Sequence, residues 1–595
     1  MPQDPQGLSD NSNEGKKISD VDTVLRQIGQ LGPFQIRILA IFLPIFFSIT
    51  YQSLIMVFTA YEPPWMCAKQ SESCLQSNSS SADSLVVYST ATQPIELYER
   101  RCTLNRSDWK FAYENLYEGP HNTIVDEFDL VCDRAFLGWL ANAILYFGWA
   151  VGSLVLGTVA DKCGRKNVLF PSLTVMLVAT FAMAFAKAVW VVLAFRFIIG
   201  VCQSGAFQSI FVLSTELVGP EKRALATAAL WFYYTVALMV LGLKAYFVRD
   251  WRMLMILSSA PWIFILIFWK IREMASCQRR ERESSCYFGE RRKSEQEAAP
   301  KRRSLCSWDD RKQRSGGPLQ NMETWEAVTY LDLLAVSSLT YVNGVVYFGI
   351  ALSSAEFGSS IYFNFVITSL VEIPANALLI HNCNSIILIL FIFIIIIIII
   401  IIIIIITSRQ IHSLVFKVLL YLQTFGRKKT TIAYMIAAGI AVVAVSFIPH
   451  GTDNAGFIAG RAALGTLGKL CITTSFGAVD LLAAELYPTV VRNSGIAMVF
   501  ISGHIGAATS PFLVQLTRIN AVLPFAVMGA LSVIGAILCW TLPETLGRKT
   551  AEVWEDAEDS KGTMIPLSNM EIQITLFRKK IKPRRISSTS LETST

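Results

Sequence analysis

The sequence predicts an all-α membrane protein with twelve spans in two six-helix halves. Hydrophobic residues make up 53% of the 595 residues and charged residues only 16%, whereas soluble domains carry about 25% charged residues. Apolar runs of about 20 residues, the length that a helix needs to cross a bilayer, recur along the chain. Short charged motifs also recur in the same order in both halves, which indicates internal duplication.

Twelve apolar runs are long enough to span a membrane, leaving aside the stretch 386–406. They fall at 36–60, 136–158, 168–187, 189–212, 224–247, 251–270, 333–353, 361–380, 431–449, 455–478, 495–517 and 521–542. The polar N-terminus lacks the pattern of a cleaved signal peptide, so we expect the first run to act as an internal targeting signal.

The distribution of basic residues predicts the orientation. The polar loop 271–328 follows six spans and carries thirteen Lys and Arg residues between Arg272 and Arg314. The positive-inside rule places this loop and both termini in the cytoplasm of a plasma-membrane protein. The predicted segments are a cytoplasmic N-terminus (1–35), a first half (36–270) with an outer loop (61–135), the basic loop (271–328), a second half (329–545) and a cytoplasmic tail (546–595).

The outer loop has features of an oxidising, glycosylated compartment. Its disulfide candidates are Cys67, Cys74, Cys102 and Cys132, and its glycosylation sequons are at Asn78 and Asn105. Free thiols in an ordinary loop are the alternative.

Three motifs repeat between the halves. They are Gly164-Arg165-Lys166 with Gly426-Arg427-Lys428, Arg196-x-x-x-Gly200 with Arg461-x-x-x-Gly465, and Glu216 seven residues before Arg223 with Glu485 seven residues before Arg492. Three matches in one order favour a duplicated six-helix unit, which is typical of transporters whose site lies between the halves.

The run Gly-Thr-Val-Ala-Asp-Lys-Cys-Gly-Arg-Lys at 157–166 resembles the loop signature of the major facilitator superfamily, although a generic basic loop is the alternative. Asp and Arg side chains in such a loop can pair across helix ends in one conformation and separate in another. We predict gate or scaffold roles near the cytoplasmic face for Asp161, Gly164, Arg165, Arg196, Glu216, Arg223, Arg427, Arg461, Glu485 and Arg492.

Four further segments resemble the organic ion transporters of solute carrier family 22. They are 216–223, 246–254, 485–493 and 542–545, and the Tyr-Phe-Val-Arg-Asp-Trp-Arg-Met-Leu run at 246–254 is most similar to the cation/carnitine branch. The resemblance implies the twelve-helix major facilitator fold, with two halves related by pseudo-two-fold symmetry. It also implies alternating-access transport of small organic cations or zwitterions such as carnitine. The alternatives are an organic anion exchanger and a non-transporting or degenerate membrane protein.

The chain departs from the family pattern in three places. Lys270-Ile-Arg-Glu-Met-Ala replaces the usual stretch after span six, and span seven reads as short. Residues 381–423 look foreign, with thirteen consecutive isoleucines (Ile394 to Ile406) and Gln423 where the family carries Asp. We hypothesise that 381–423 is a translated intron, with a genuine thirteenth apolar segment as the alternative. An mRNA that retains codons 381–423 would count against the intron.

His504 in span eleven is the first candidate for substrate binding, because an ionisable group inside a membrane suggests function. The resemblance implies that cation transporters carry Asp at this position and that anion or carnitine-type members carry Arg. Histidine is neutral or positive near pH 7, which disfavours a simple counter-charge for cations. A hydrogen-bonded packing histidine is the alternative.

Further candidates lie in neighbouring apolar runs. Lys469 and Asp480 are eleven residues apart, about 16 Å along a helix, so they share a face without pairing directly. The resemblance places Tyr233, Tyr234, Tyr347, Phe207 and Gln203 near the cavity, where aromatic faces suit quaternary ammonium groups. Ordinary helix packing, and snorkelling for the charged pair, are the alternatives.

The sequence shows no metal-ligand cluster, nucleotide-binding loop or catalytic triad, so we expect neither an enzyme nor a cofactor. Coupling to sodium or protons is left open. The expected partners are a small organic ion and the lipid bilayer, and not nucleic acid. The C-terminal residues Glu592-Thr593-Ser594-Thr595 resemble a weak PDZ ligand.

Overall fold

Long helices dominate the computed structural model. The structure describes residues 33–67, 87–88, 101–112, 119–216, 223–260, 319–357, 360–380, 426–449, 455–486 and 492–545. The suspected insertion at 381–423, the predicted C-terminal tail, and most of the predicted N-terminus and of the basic loop lie outside these ranges.

The helices of the first half and its loop are α1 (Pro33–Leu54), α2 (Met56–Thr59), α3 (Ile124–Glu127), α4 (Phe136–Cys163), α5 (Arg165–Met183), α6 (Val189–Glu216), α7 (Arg223–Phe247) and α8 (Trp251–Ser259). Those of the second half are α9 (Leu319–Leu352), α10 (Ile361–Leu370), α11 (Glu372–Ile380), α12 (Arg427–Ser446), α13 (Ala455–Leu486), α14 (Arg492–Val514) and α15 (Leu523–Trp540).

Ten helices in the described part are long and apolar enough to cross a membrane. The sixth predicted span begins as α8, and the eighth corresponds to α10 and α11 together. The expectation of a short span seven is wrong, because α9 is a continuous helix of 34 residues. The first turns of α9 are polar, so the hydropathy pattern did not indicate where the helix begins.

The two Gly-Arg-Lys turns have the same backbone geometry. Gly164 and Gly426 both adopt positive φ angles, of 90° and 110°, and each directly precedes the first residue of the next helix. Glycine suits these positions because a Cβ atom disfavours positive φ. We call the end of the bundle that carries both turns the turn end.

The opposite end, which we call the loop end, carries a small folded loop. Three short antiparallel strands, β1 (Trp65–Cys67), β2 (Val87–Tyr88) and β3 (Trp109–Phe111), pair in the order β2-β1-β3. A disulfide joins Cys102 to Cys132, and Cys67 is also disulfide-bonded. The fully buried Arg101 lies against the rings of Trp65 and Trp109.

Glycines allow the closest helix contacts within each half. A Cβ atom on Gly148 of α4 would lie 2.5 Å from the carbonyl oxygen of Phe197 on α6. In the second half, a Cβ on Gly344 of α9 would clash with the backbone of Gly503 on α14. The halves then meet where α4 packs on α14 and where α7 packs on α10 and α11, and this interface encloses the cavity.

Candidate functional site

A cavity lies between the halves in the middle of the bundle. It is lined by Trp149, Phe207, Trp231, Tyr234, Tyr347, Phe348, Glu372, Asn376, Thr473, Phe476, Gly477, Phe500, Gly503 and His504. Mostly aromatic walls with a few polar groups are typical of a binding site for a small organic molecule.

Glu372 is the acidic residue of this cavity. Residue 371 separates α10 from α11, so Glu372 begins the second helix, and the residue is only 2% exposed. The Tyr347 hydroxyl donates to its Oε1 at 2.6 Å, and the Thr235 hydroxyl lies 3.4 Å from its Oε2. Since Thr235 belongs to α7, this last contact crosses between the two halves.

Lys469 neutralises Glu372. Its Nζ lies 3.4 Å from Glu372 Oε1, and both side chains are 2% exposed. The same Nζ donates to the Tyr347 carbonyl oxygen at 3.2 Å and lies 3.1 Å from the centroid of the Tyr347 ring. Removing one partner of such a buried pair typically costs about 3–5 kcal/mol, because the other charge is left uncompensated.

The aromatic side chains form a connected wall. The ring centroid of Phe207 lies 5.7 Å from that of Trp149, 6.2 Å from that of Trp231 and 6.4 Å from that of Phe500. Trp231 continues to Tyr234 at 5.8 Å. Aromatic faces attract cations within about 6 Å of the ring centroid, most strongly where water is excluded.

His504 also lines the cavity, but one of its two ring nitrogens is already used in a hydrogen bond. Its Nδ1 donates to the Phe500 carbonyl oxygen at 2.6 Å, so the tautomer with a proton on Nδ1 satisfies this bond. Its ring centroid lies 4.1 Å from that of Trp149. His504 therefore offers the cavity a ring face and one remaining nitrogen.

The structure brings together four of the eight predicted substrate-binding residues. Those that line the cavity are Phe207, Tyr234, Tyr347 and His504. Lys469 lies behind Glu372, and Tyr233 is half-buried without lining the cavity.

Gln203 and Asp480 have different positions. Gln203 donates to the Ile49 carbonyl oxygen at 2.6 Å and to the Ser53 hydroxyl at 2.8 Å, so it joins α6 to α1 rather than facing the cavity. One carboxylate oxygen of Asp480 is buried without a hydrogen-bond partner among the described residues.

Two predicted gate charges lie at the wrong end for their assigned role. Arg196 donates to the carbonyl oxygens of Ala141 and Gln52, near the loop end of α4 and α1. Arg461 likewise lies near the beginning of α13, and the single helix α12 separates it from the Gly426 turn. The prediction failed because α6 and α13 begin at the loop end and run back towards the turn end.

Other predicted gate residues lie at the turn end. Arg427 is 3.5 Å from Glu485, and its backbone N–H donates to Glu544 at 2.7 Å. The Thr545 hydroxyl donates to Glu485 at 2.6 Å, so residues after α15 tie α12 to α13. Gly164 forms the first turn, and Arg165 is partly exposed beside it. The side chains of Asp161, Glu216, Arg223 and Arg492 lie outside the described set.

Sequence reasoning missed several cavity residues, chiefly Glu372, with Trp149, Trp231, Asn376 and Phe500. The signal for Glu372 was present, because it is a carboxylate inside the apolar run 361–380, and the rule that selected His504 applies equally to it. The aromatic residues gave no such signal, since aromatics occur on all faces of membrane helices.

In the described part of the chain, no group of three His, Cys, Asp or Glu side chains is placed to hold a metal. In the loop, Asn105 is exposed, and its sequon serine Ser107 is exposed with it. Cys74 and Asn78 lie outside the described residues.

A helical bundle with a cavity enclosed between two similar halves defines a membrane transporter, and such proteins are not enzymes. Residues 122–422, slightly more than half of the chain, match the family model of the Major Facilitator Superfamily. The chain belongs to this superfamily, as its loop signature predicted.

Curated relatives confirm the resemblance to solute carrier family 22. The chain is 26% identical to the organic cation transporter protein of Drosophila melanogaster, over 90% of this chain and 94% of that protein. It is 29% identical to solute carrier family 22 member 3 of Rattus norvegicus, over 76% of this chain and 73% of the relative. The inward-open xylose transporter of E. coli shares the fold, with a TM-score of 0.52, 13% identity, and coverage of 88% of this chain and 99% of that chain.

Proposed function

We propose that this transporter carries small organic cations, and zwitterions that bear an ammonium group, by alternating access through the cavity. The observation that supports this most directly is a carboxylate, Glu372, at the edge of an aromatic-walled cavity. A carboxylate supplies charge and aromatic faces supply a desolvated surface, which together suit a substituted ammonium group.

The charges that line the cavity favour a cation over an anion. Among the described lining residues Glu372 is the acid, and Lys or Arg does not occur among them. Lys469 lies behind Glu372, and the Nδ1 proton of His504 is given to a carbonyl oxygen. An anionic substrate would therefore meet Glu372 without an exposed compensating cation. The name of the Drosophila melanogaster relative, an organic cation transporter protein, also favours organic cations.

We further propose that the chain resides in the plasma membrane, with the loop end outside and both termini in the cytoplasm. The Cys102–Cys132 disulfide and the exposed Asn105 sequon at the loop end support this orientation. The thirteen basic residues between Arg272 and Arg314 support a cytoplasmic position for the opposite end. Enzymatic removal of N-glycans with and without an Asn105→Gln substitution tests the orientation, which an unglycosylated wild-type chain would contradict.

The decisive experiment is uptake by cells that express the chain. Labelled tetraethylammonium, carnitine and an aromatic carboxylate are compared, each with and without sodium and at two external pH values. We expect uptake of tetraethylammonium, carnitine or both, and the ionic conditions report any coupling to sodium or protons. Uptake of the carboxylate alone would replace the proposal with an anion exchanger, and surface protein without any uptake would indicate a non-transporting product.

Glu372→Gln tests the role of the cavity carboxylate. We expect cation uptake to fall about tenfold or more, as for other close charge pairs in desolvated sites. Asp129→Asn is the matched control, because it removes a carboxylate from an exposed ion pair with Arg106 in the loop. Equal effects of the two substitutions would remove Glu372 from the substrate site.

A further inference from the structure

The ammonium group of Lys469 is held by the kinds of group that proteins use to bind an organic cation. Its Nζ contacts a carboxylate oxygen of Glu372 at 3.4 Å, the carbonyl oxygen of Tyr347 at 3.2 Å and the face of the Tyr347 ring at 3.1 Å. A carboxylate, a carbonyl and an aromatic face together form a small cage for ammonium. The chain therefore carries its own alkylammonium group at the edge of the cavity.

Glu372 connects this cage to the cavity. Glu372 lines the cavity, whereas Lys469 approaches the same carboxylate from behind. Oε1 accepts from Lys469 and Tyr347, while Oε2 lies 3.4 Å from the Thr235 hydroxyl of the first half. A cation that enters the cavity meets a carboxylate that is already neutralised, so it competes with Lys469 for Glu372.

The location of the pair determines what it does when the cavity is empty. Glu372 lies on α11 and Lys469 on α13, both in the second half, so the pair moves as one body when the halves rock. An uncompensated charge inside the membrane is costly, and an empty carrier with a bare carboxylate would reorient slowly. A neutral pair removes that barrier.

We infer that Lys469 is a tethered substitute for the substrate cation: it neutralises Glu372 in the empty carrier and yields to the substrate in the loaded one. This inference rests on the proposed function. Two consequences follow. Lys469 weakens the affinity for cations, because each substrate must displace it, and it accelerates the return of the empty carrier.

Lys469→Met separates this role from simple packing. We expect purified protein to bind tetraethylammonium about tenfold more tightly than wild type, measured by calorimetry. In cells, net uptake should slow much more than exchange of internal for external tetraethylammonium. The reason is that exchange does not require the empty carrier to reorient. Lys469→Arg, which keeps the charge, should keep the wild-type ratio of net uptake to exchange. Weaker binding, or an equal loss of both modes in Lys469→Met, would overturn the inference.

A second pair of variants covers the case in which Lys469→Met does not reach the membrane. Glu372→Gln leaves the Lys469 ammonium unpaired beside the cavity, whereas Glu372→Gln with Lys469→Met leaves a neutral pair. We expect the double variant to bind tetraethylammonium better than Glu372→Gln alone, through the aromatic walls. A double variant that binds no better than Glu372→Gln overturns the inference.

Binding and transport also separate the two proposals. Tighter binding by Lys469→Met in a chain that moves no substrate would support the tethered cation and contradict the proposed transport. If the wild-type chain transports the cation and Lys469→Met keeps the wild-type ratio of net uptake to exchange, the proposed transport is supported and the tethered cation is contradicted. A wild-type chain that neither binds nor carries the cation overturns both.

Discussion

Glu62 and Arg518 join the two halves at the loop end, with 2.6 Å between Glu62 Oε2 and Arg518 Nη2. Glu62 follows α2 in the first half, and Arg518 ends the turn after α14 in the second. Nearby, the ring of Phe58 stacks on that of Tyr362 across the same interface, with centroids 5.5 Å apart. These contacts hold the loop end closed in the conformation described.

Arg518→Gln should loosen this closure with little loss of stability. The Arg518 side chain is 22% exposed, and a partly exposed pair contributes about 1 kcal/mol or less. We expect a small decrease in the thermal unfolding midpoint. Hydrogen exchange should rise in peptides that contain residues 56–62 and 515–520. Unchanged exchange there would show that the aromatic contacts alone close the loop end.

Glu62→Gln should be far more destabilising than Arg518→Gln. The other oxygen of Glu62 lies 2.5 Å from Arg101, whose side chain is fully buried. Losing the carboxylate weakens the compensation of a buried guanidinium, which costs about 3–5 kcal/mol in comparable sites. The unfolding midpoints of the two purified variants, measured side by side, check the order, and equal midpoints would contradict it.

Gly148→Ala should destabilise the first half by about 1–3 kcal/mol, as overpacking does elsewhere. The added methyl group would lie 2.5 Å from the backbone oxygen of Phe197, so α4 and α6 must separate. Gly138→Ala on the same helix is the control, because its nearest contact would be an ordinary 3.8 Å to a Val125 side chain. Surface expression and thermal stability should fall only for Gly148→Ala, and a matching fall in both variants would point to backbone effects instead.

His504→Asp should shift the preference of the cavity towards cations. A second carboxylate would replace a ring that packs 4.1 Å from Trp149 and donates to the Phe500 carbonyl oxygen. We expect the uptake ratio of tetraethylammonium to aromatic carboxylate to rise about tenfold. His504→Asn removes the ring without adding charge and separates the two effects. If Asp and Asn produce the same substrate profile, His504 acts through packing and not through charge.

The sequence predicted the fold closely because the length and hydropathy of an apolar run are enough to identify a membrane helix. It also placed Phe207, Tyr234, Tyr347 and His504 near the cavity that the structure shows. It assigned Arg196 to the wrong end, because a motif repeat gives order along the chain but not the direction in which a helix runs.

The pairing of Glu372 with Lys469 was beyond sequence reasoning for a different reason. The two residues are 97 positions apart on separate helices, and only tertiary packing brings them within 3.4 Å. The same holds for Gln203, whose polar side chain suggested a ligand contact but satisfies the backbone of α1 instead. A polar residue in a membrane helix indicates that its polar group needs a partner inside the bundle. The sequence does not identify that partner.

His121 should make the stability of the loop depend on pH. It precedes α3, and Arg249 Nη1 lies 3.3 Å from its Nε2, a hydrogen bond that requires a neutral ring. Burial, and then the charge of Arg249, lower the pKa of His121 below its ordinary value of 6.5. The folded state therefore favours the neutral ring, and its contribution to stability is present above about pH 6.5 and is lost as the pH falls below that value.

The measurement is the thermal unfolding midpoint of the purified protein between pH 5 and pH 7.5, compared with that of His121→Gln. Protonation would set two positive charges against each other at the junction between the loop and the connector to α8. Asn122, which donates to Asp250 in that connector, is left intact by the substitution. We expect the wild-type midpoint to fall towards pH 5 more steeply than that of His121→Gln, because glutamine has no proton to gain. Parallel curves for the two proteins would assign the acid sensitivity to carboxylates elsewhere in the loop.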